Sequence, residues 1–201
     1  MVPRMATMFS FLGICNAALI SQGMDEIVQD EDGTPEFRLL SRNWPGIVEA
    51  ELETGAHAFA LAEATLLSRQ PGRYGYADSY LLPLEALHVR RLWSARGGMR
   101  ADPDWVQDGA SVHVDAPGGV GVQIVTSADP SFWGANFSRG VQKKLEAEIL
   151  RAFKEEYQAA GMMEVEAERA FSQARALASK SRASRPMMLP GPIALARFRR
   201  A

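Results

Sequence analysis

The stretch from Tyr74 to Trp93 limits the fold more than any other part of the chain. Three tyrosines precede an apolar run that contains a proline, and further apolar residues follow: Tyr74, Tyr76, Tyr80, Leu81, Leu82, Pro83, Leu84, Leu87, Val89 and Trp93. Proline lacks a backbone N–H and fixes φ, so Pro83 is unfavourable inside a helix or a central strand. The pattern predicts a corner that leads into a strand from about Leu87 to Trp93. An ordinary aromatic-rich loop that closes a core is the alternative.

Composition narrows the function classes. With 201 residues, 47% hydrophobic and 23% charged, the chain has the composition of one globular domain. Its net charge of −2 argues against a protein that grips nucleic acid by its overall charge. The single cysteine, Cys15, excludes an internal disulfide framework and is typical of a reducing compartment.

Two helices are predicted before the corner. An apolar face of Met8, Phe11, Leu12, Cys15 and Leu19 predicts a helix over about 6–22, with Gly23 as its C-cap and Cys15 as core filler. The Asp25-to-Asp32 segment reads as an acidic connector. Thr34-Pro35-Glu36 predicts the start of a helix over about 34–53, in which Pro45 should cause a kink. Its apolar face is Phe37, Leu40, Trp44, Ile47, Val48 and Leu52.

A β region is predicted over about 57–126. Segments 111–115 and 120–126 alternate or are β-branched, and Ala116-Pro-Gly-Gly119 joins them, which predicts a hairpin. Together with 57–67 and 87–93, this hairpin would give one small antiparallel sheet of about four strands.

A helix pair is predicted after the sheet. Apolar residues recur every four positions from Phe137 to Tyr157 and predict a long helix over about 131–160, which Gly161 breaks. A last helix over about 163–181 should pack antiparallel against it, with Val165, Phe171, Ala174 and Leu177 inward. The glutamates of this pair alternate with Lys and Arg and read as a solvated face: Glu146, Glu148, Glu155, Glu156, Glu164, Glu166 and Glu168.

The segment 183–201 reads as an extended docking tail. It has no acid, several prolines, and both arginines and large apolar residues without any periodicity. Such apolar content predicts a segment that docks on a partner, and a disordered end is the alternative. The candidate partner-binding residues are those of the tail and of the exposed 96–100 loop: Arg96, Arg100, Arg185, Met187, Met188, Leu189, Ile193, Leu195, Phe198, Arg199 and Arg200.

No pattern in the chain indicates catalysis, a cofactor or a metal. His57, His88 and His113 are scattered, with no Cys or His at ligand spacing. Gly118-Gly-Val-Gly121 lacks the Lys-Ser/Thr of a phosphate loop and lies between two strands. There is also no Gly-x-Ser-x-Gly elbow.

The order of these features resembles the head–tail connector (adaptor) proteins of tailed bacteriophages and gene transfer agents, the group that includes tail tubular protein A. The resemblance covers roughly residues 9–182 and is most specific at the corner of Tyr74, Tyr76, Tyr80, Leu82, Pro83 and Leu87. It is partial at Phe59-Ala60, where His57-Ala58 stands in place of an aromatic residue.

The resemblance implies a structural virion protein at the head–tail junction, assembled in the host cytoplasm. Such a protein forms a homo-oligomeric ring of about twelve subunits. The ring joins the portal protein to a downstream tail or stopper protein, and genomic DNA passes through it without sequence-specific binding. We expect the acidic loop 25–32 or the glutamates of the long helix to face the channel. No catalytic residue, cofactor or membrane contact is implied.

The predicted fold class is therefore α+β and mainly α, a small bundle of about four helices with an inserted antiparallel β region. Residues 1–182 form one connector domain, and 183–201 form the C-terminal docking tail. The main alternative is a helical-bundle regulator that binds DNA or protein through Lys143, Lys144, Arg151 and Lys154. An uncharacterised hydrolase is a weaker alternative.

Overall fold

A computed structural model describes residues 10–28, 33–55, 57–95 and 103–180. These residues form four α-helices: α1 (Phe11–Ser21), α2 (Pro35–Thr54), α3 (Ala135–Ile149) and α4 (Tyr157–Lys180). They also form seven strands: β1 (Leu61–Leu66), β2 (Arg69–Pro71), β3 (Asp78–Leu81), β4 (Ala86–Ser94), β5 (Trp105–Asp108), β6 (Ser111–Val114) and β7 (Val120–Thr126). Short 3₁₀ turns at Ala58–Ala60 and Pro130–Phe132 precede β1 and α3, and a π turn at Leu150–Lys154 follows α3.

The predicted mainly-α bundle is wrong. Helix accounts for 51% and strand for 23% of the described residues, and the strands form two antiparallel sheets. The fold is α+β, with the strands as a substantial part of the structure rather than a small insertion. The sequence understates the strands because β2, β3 and β5 have only three or four residues each, too few to show a period-2 pattern.

The predicted 111–126 hairpin is also wrong, because its two strands lie in different sheets. One sheet has the order β1-β7-β4 and the other the order β2-β3-β6-β5. Strand β6 pairs with β3 and β5, whereas β7 pairs with β1 and β4. The link from Asp115 to Gly119 therefore crosses from one sheet to the other, and the single sheet of about four strands is replaced by two.

The two sheets enclose an apolar core of their own. It contains Tyr80, Leu82, Val89, Leu92, Val112, Val114, Ala116, Val120, Val122 and Ile124. Side chains alternate between the faces of a strand, so Val125 of β7 belongs to a second core that is shared with the helices. The three-stranded sheet thus contributes to both cores.

Helix α3 is the centre of the helical layer, since α1, α2 and α4 all pack against it. Its residues Phe137, Val141, Leu145 and Ile149 are fully buried, as their spacing predicted. Where α3 meets α4, the ring of Phe171 lies only 2.5 Å from the position that a Cβ on Gly140 would occupy. A side chain at position 140 would therefore force the Phe171 ring or the two helices to shift.

Local signals at the ends of α1 and α2 are confirmed. Gly23 has φ +69°, and it donates to the carbonyl of Ile20 while Met24 donates to that of Leu19, which is a Schellman end. The Thr34 hydroxyl accepts from the Phe37 N–H at 3.2 Å and caps α2. Helix α2 continues through Pro45 to Thr54, and the kink there stays a prediction.

The helix break predicted at Gly161 lies instead at Glu155. The π turn ends at Glu155, whose φ of +55° is left-handed, and Gly161 lies inside α4. Because the helix breaks at Glu155, Phe153 and Tyr157 are exposed, although the every-fourth pattern predicted that they face inward. Val165 and Leu177 of α4 face outward, contrary to the prediction, and the buried residues of this helix are Ala160, Ala167, Ala170, Phe171 and Ala174.

Candidate functional site

The candidate partner-binding residues lie outside the part of the chain that the structure describes. They are Arg96, Arg100, Arg185, Met187, Met188, Leu189, Ile193, Leu195, Phe198, Arg199 and Arg200. The C-terminal docking tail and the 96–100 loop therefore stay sequence predictions. The sites that can be built from described residues are the tyrosine-rich corner, two buried carboxylates, a groove between helices, and the exposed apolar side chains.

The corner around Pro83 is confirmed. Strand β3 ends at Leu81, and the Pro83 carbonyl accepts from the Ala86 N–H at 3.0 Å, where β4 begins. Leu82 enters the core between the sheets, and Leu87 packs against the core beneath the helices. The corner thus connects the two sheets and anchors one residue in each core.

Tyr80 and Asp78 hold the link that crosses between the sheets. The hydroxyl of the fully buried Tyr80 donates to the carbonyl of Ala116 at 2.6 Å and accepts from the Gly119 N–H at 3.2 Å. The buried Asp78 carboxylate accepts from the Ala116 N–H at 3.0 Å and pairs with Arg69. The backbone groups of the crossover do not pair with a neighbouring strand, and the side chains of Tyr80 and Asp78 bond them instead. The role of these two residues is therefore structural.

Glu51 and His57 form a buried polar cluster that sequence reasoning missed. One oxygen of Glu51 lies 3.0 Å from His57 Nε2, and the other accepts from Arg175 at 2.7 Å. Arg175 also pairs with Glu168. Burial opposes its charge, but Glu168 and Glu51 together raise the pKa of Arg175. The cluster ties the end of α2 to α4, and no motif in the sequence marks it, because Arg175 lies 124 positions from Glu51 in the chain.

Glu146 corrects the prediction of a solvated glutamate face. Its side chain is 0% exposed, and it accepts from Gln142 at 2.9 Å and from Lys143 at 2.7 Å. Gln22, which directly follows α1, lies 3.4 Å from the same carboxylate. A buried charge needs such partners, so Glu146 joins α1 to α3 and does not face solvent.

A groove of about 530 Å³ runs between α2 and α4, with α3 as its floor. Most of its charged lining is paired within the protein: Glu164 and Glu148 each bond Arg151, at 2.9 Å and 2.8 Å. The hydrogen bond from Arg151 holds the pKa of Glu164 below its usual value, and the same bond raises the pKa of Arg151. Lys144 lies 3.7 Å from Glu164. The groove therefore presents few uncompensated charges to a ligand.

The cations of the alternative, a DNA-binding regulator, are also bonded within the protein. Three of its four cations contact glutamates: Lys143 bonds Glu146, while Lys144 and Arg151 contact Glu164. The fourth, Lys154, donates to the carbonyl of Gln22 at 2.6 Å. A face that binds DNA needs Lys and Arg side chains that are available to neutralise phosphates and so release the counterions of DNA. These four cations are already bonded within the protein, so this face gives the DNA-binding alternative little support.

Large apolar side chains are exposed on several different elements. Met162 and Val165 project from α4, and Val165 is 63% exposed. At the corner, Leu81 is exposed and Leu84 is fully exposed on the turn that contains Pro83. Single exposed apolar residues are common, but several on different elements fit a chain with more than one contact surface.

The described residues contain no group of three or more His, Cys, Asp or Glu that could hold a metal ion. His57 and His113 are each bound within the fold, to Glu51 and to the Arg73 N–H respectively. Cys15 is fully buried in the helical core, as predicted. Within the described ranges, no helix combines the length and the apolarity that crossing a membrane would require.

No protein-family model matches the chain, and no curated protein matches its sequence. The functional argument therefore depends on the residues and contacts described above.

Proposed function

We propose that this protein is a head–tail connector subunit of a tailed bacteriophage or gene transfer agent, and that it acts by assembly rather than catalysis. Copies form a homo-oligomeric ring between the portal protein and a downstream tail or stopper protein. Genomic DNA passes through the ring without sequence-specific binding. The proposal begins from the resemblance centred on the Tyr74-to-Leu87 corner.

The observation that carries the proposal is the exposure of large apolar side chains on different elements of one chain. A ring needs a heterologous interface, in which two different surfaces of the same subunit meet. Helix α4 offers Met162 and Val165, and the β3–β4 corner offers Leu81 and Leu84. Each set exposes apolar area to water in a monomer, and a ring would bury that area.

The acidic link between α1 and α2 supports the proposal that the protein lines a DNA channel. Asp25, Glu26 and Glu36 line a hollow of about 350 Å³ together with uncharged residues. The acidic residues at 30–32 follow in the sequence and lie outside the described residues. Carboxylates repel the phosphate backbone, so DNA can slide past such a surface without being held.

The test of the ring is sedimentation and negative-stain imaging of the purified protein, alone and with portal-containing capsids. We expect rings or ring-decorated vertices from the wild-type chain. Val165→Asp should weaken assembly, because it places a charge in an interface that excludes water. Gln158→Asp, at an exposed polar position of the same helix, is the matched control.

A wild-type protein that stays monomeric and does not bind portal-containing capsids would contradict the proposal. So would a chain that binds oligonucleotides with a steep salt dependence, which would favour the regulator. Deletion of 183–201 tests the docking tail separately. We expect this deletion to impair assembly onto the portal, and normal assembly would show that the tail is dispensable.

A further inference from the structure

One face of the four-stranded sheet has a cluster of neighbouring side chains, here called the sheet patch, which consists of Tyr74, Leu81, Val106 and Asp108. Strand pairing places Leu81 opposite Ser111, and Ser111 opposite Asp108, so these side chains share one face. Val106 lies two residues before Asp108 in β5 and therefore on the same face. Tyr74 joins them, because its hydroxyl donates to Asp108 at 2.8 Å.

The apolar side chains of the sheet patch are exposed. Tyr80, which alternates with Leu81, lies in the core between the sheets, so the patch is on the opposite, outer face. Tyr74 is 63% exposed, Leu81 52% and Val106 39%. A contiguous group of large exposed apolar side chains is typical of a surface that contacts another protein.

The sheet patch has a net negative charge. Within the described part of the chain, Asp108 bonds the Tyr74 hydroxyl and forms no salt bridge. Two more charges lie nearby: Asp115, which accepts from the Ala77 N–H at 2.7 Å, and Arg73, which precedes Tyr74. These two offset each other, so Asp108 leaves the patch acidic.

The outward surface of α4 has an apolar stripe next to a cation, here called the helix patch and formed by Met162, Val165 and Arg169. These residues follow one another at intervals of three and four, so they lie side by side on the helix. Met162 and Val165 are 57% and 63% exposed, and Arg169 is exposed as well. The helix patch therefore combines apolar area with a charge opposite to that of Asp108.

A second arginine strengthens the positive charge of the helix patch. Arg169 and Arg139 of α3 line the same hollow of about 150 Å³. Neither arginine forms a salt bridge with another described residue. Glu166 also lines this hollow, but it lies 3.7 Å from Lys143, which offsets its charge. Both arginines are thus available to a carboxylate from outside the chain.

The two patches lie on different layers of the subunit. The three-stranded sheet contributes to the core beneath the helices and to the core between the sheets, so it separates α4 from the outer face of the four-stranded sheet. The sheet patch and the helix patch of one chain therefore face different neighbours. Two different surfaces that fit each other are what a heterologous contact requires.

We propose that the sheet patch of one copy docks on the helix patch of the next copy, with Asp108 facing Arg169. This inference rests on the proposed ring and names the two surfaces that meet in it. Burial of the apolar side chains of both patches drives the contact. The opposite charges fix its orientation and disfavour a contact between two identical patches.

The test exchanges the two charges and measures assembly by sedimentation, for the protein alone and on portal-containing capsids. Asp108→Arg and Arg169→Asp should each weaken assembly about tenfold, because like charges then face each other in every contact. An equimolar mixture of the two variants should assemble like the wild type, because opposite charges then meet wherever unlike copies alternate. Mixing would not repair a variant that assembles poorly because it is misfolded.

Lys180→Asp is the matched control, since it reverses an exposed cation further along the same helix. It should assemble like the wild type. Wild-type rings combined with variants that assemble normally, or with a mixture that shows no rescue, would refute the pairing of the patches and leave the ring intact. A wild-type protein that does not assemble would refute the ring and the pairing together.

Cross-linking decides if a charge variant does not fold, as judged by circular dichroism. One protein then carries both Leu81→Cys and Val165→Cys, and a short bis-maleimide reagent joins the cysteines of neighbouring copies. Cys15 is buried and should not react. We expect a ladder of covalent oligomers beyond the dimer from this protein and none from either single-cysteine variant. Absence of the ladder would refute the pairing.

Discussion

Replacing Tyr80 with phenylalanine tests whether the link between the two sheets depends on one buried hydroxyl. The substitution keeps the ring in the core and removes only the oxygen, which donates to the Ala116 carbonyl and accepts from the Gly119 N–H. It thus isolates the hydrogen bonds from the packing of the side chain.

The hydrogen bonds of the Tyr80 hydroxyl set the expected loss of stability. A buried hydrogen bond contributes about 1 kcal/mol net, and two bonds are removed. The Gly119 N–H also donates to the Ala116 carbonyl at 3.2 Å, so these two backbone groups keep each other as partners. We therefore expect the free energy of unfolding to fall by about 1–2 kcal/mol rather than by the larger cost of two orphaned groups.

Urea denaturation followed by circular dichroism measures this loss. The midpoint should move to lower urea while the slope stays constant, since the surface exposed on unfolding does not change. Tyr157→Phe is the control, because Tyr157 is exposed and its hydroxyl can bond water. A Tyr80→Phe protein as stable as the wild type would refute the view that this hydroxyl secures the crossover.

Three further predictions concern the helical layer. Gly140→Ala should lower the free energy of unfolding by about 1–3 kcal/mol in thermal or urea unfolding, because its Cβ would meet the Phe171 ring. Glu51→Ala should cost about 1–3 kcal/mol by the same measurement, because it leaves the buried His57 ring without its hydrogen-bond partner, whereas the partly exposed Arg175 keeps Glu168. Arg151→Met should cost less than about 1 kcal/mol, since its pair with Glu164 is about one-third exposed. The folded-state pKa of Glu164 is lowered, so this last difference should be present near neutral pH and should vanish as the pH falls through that pKa.

Gly161 offers a control for Gly140→Ala. Gly161→Ala lies inside α4 with open space around the new Cβ, so it should stabilise the protein by about 0.5–1 kcal/mol. Destabilisation by Gly161→Ala would show that the steric argument at Gly140 is incomplete. A Glu51→Ala protein with wild-type stability would show that the buried cluster contributes no net stability, and pH-independent behaviour of the Arg151→Met difference would contradict its assignment to Glu164.

Part of the candidate site could be predicted from the sequence. The corner was identified because Pro83 restricts its own backbone, which is a local effect. The structural role of the corner was not predicted, because the Tyr80 hydroxyl bonds Ala116 and Gly119, which are distant from it in the chain. The cluster around Glu51 was missed for the same reason, because Arg175 approaches it only once α2 and α4 pack on α3.

The sequence by itself determined the features that a few neighbouring residues control: the cap at Thr34, the end of α1 at Gly23, and the inward face of α3 from Phe137 to Ile149. Tertiary structure alone decided which strands pair, so that β6 and β7 lie in different sheets although they are adjacent in the chain. It also decided that Glu146 is buried and that the helix break falls at Glu155. The physical reason is that backbone propensity acts over one turn, whereas pairing and burial depend on the free energy of contacts between distant segments.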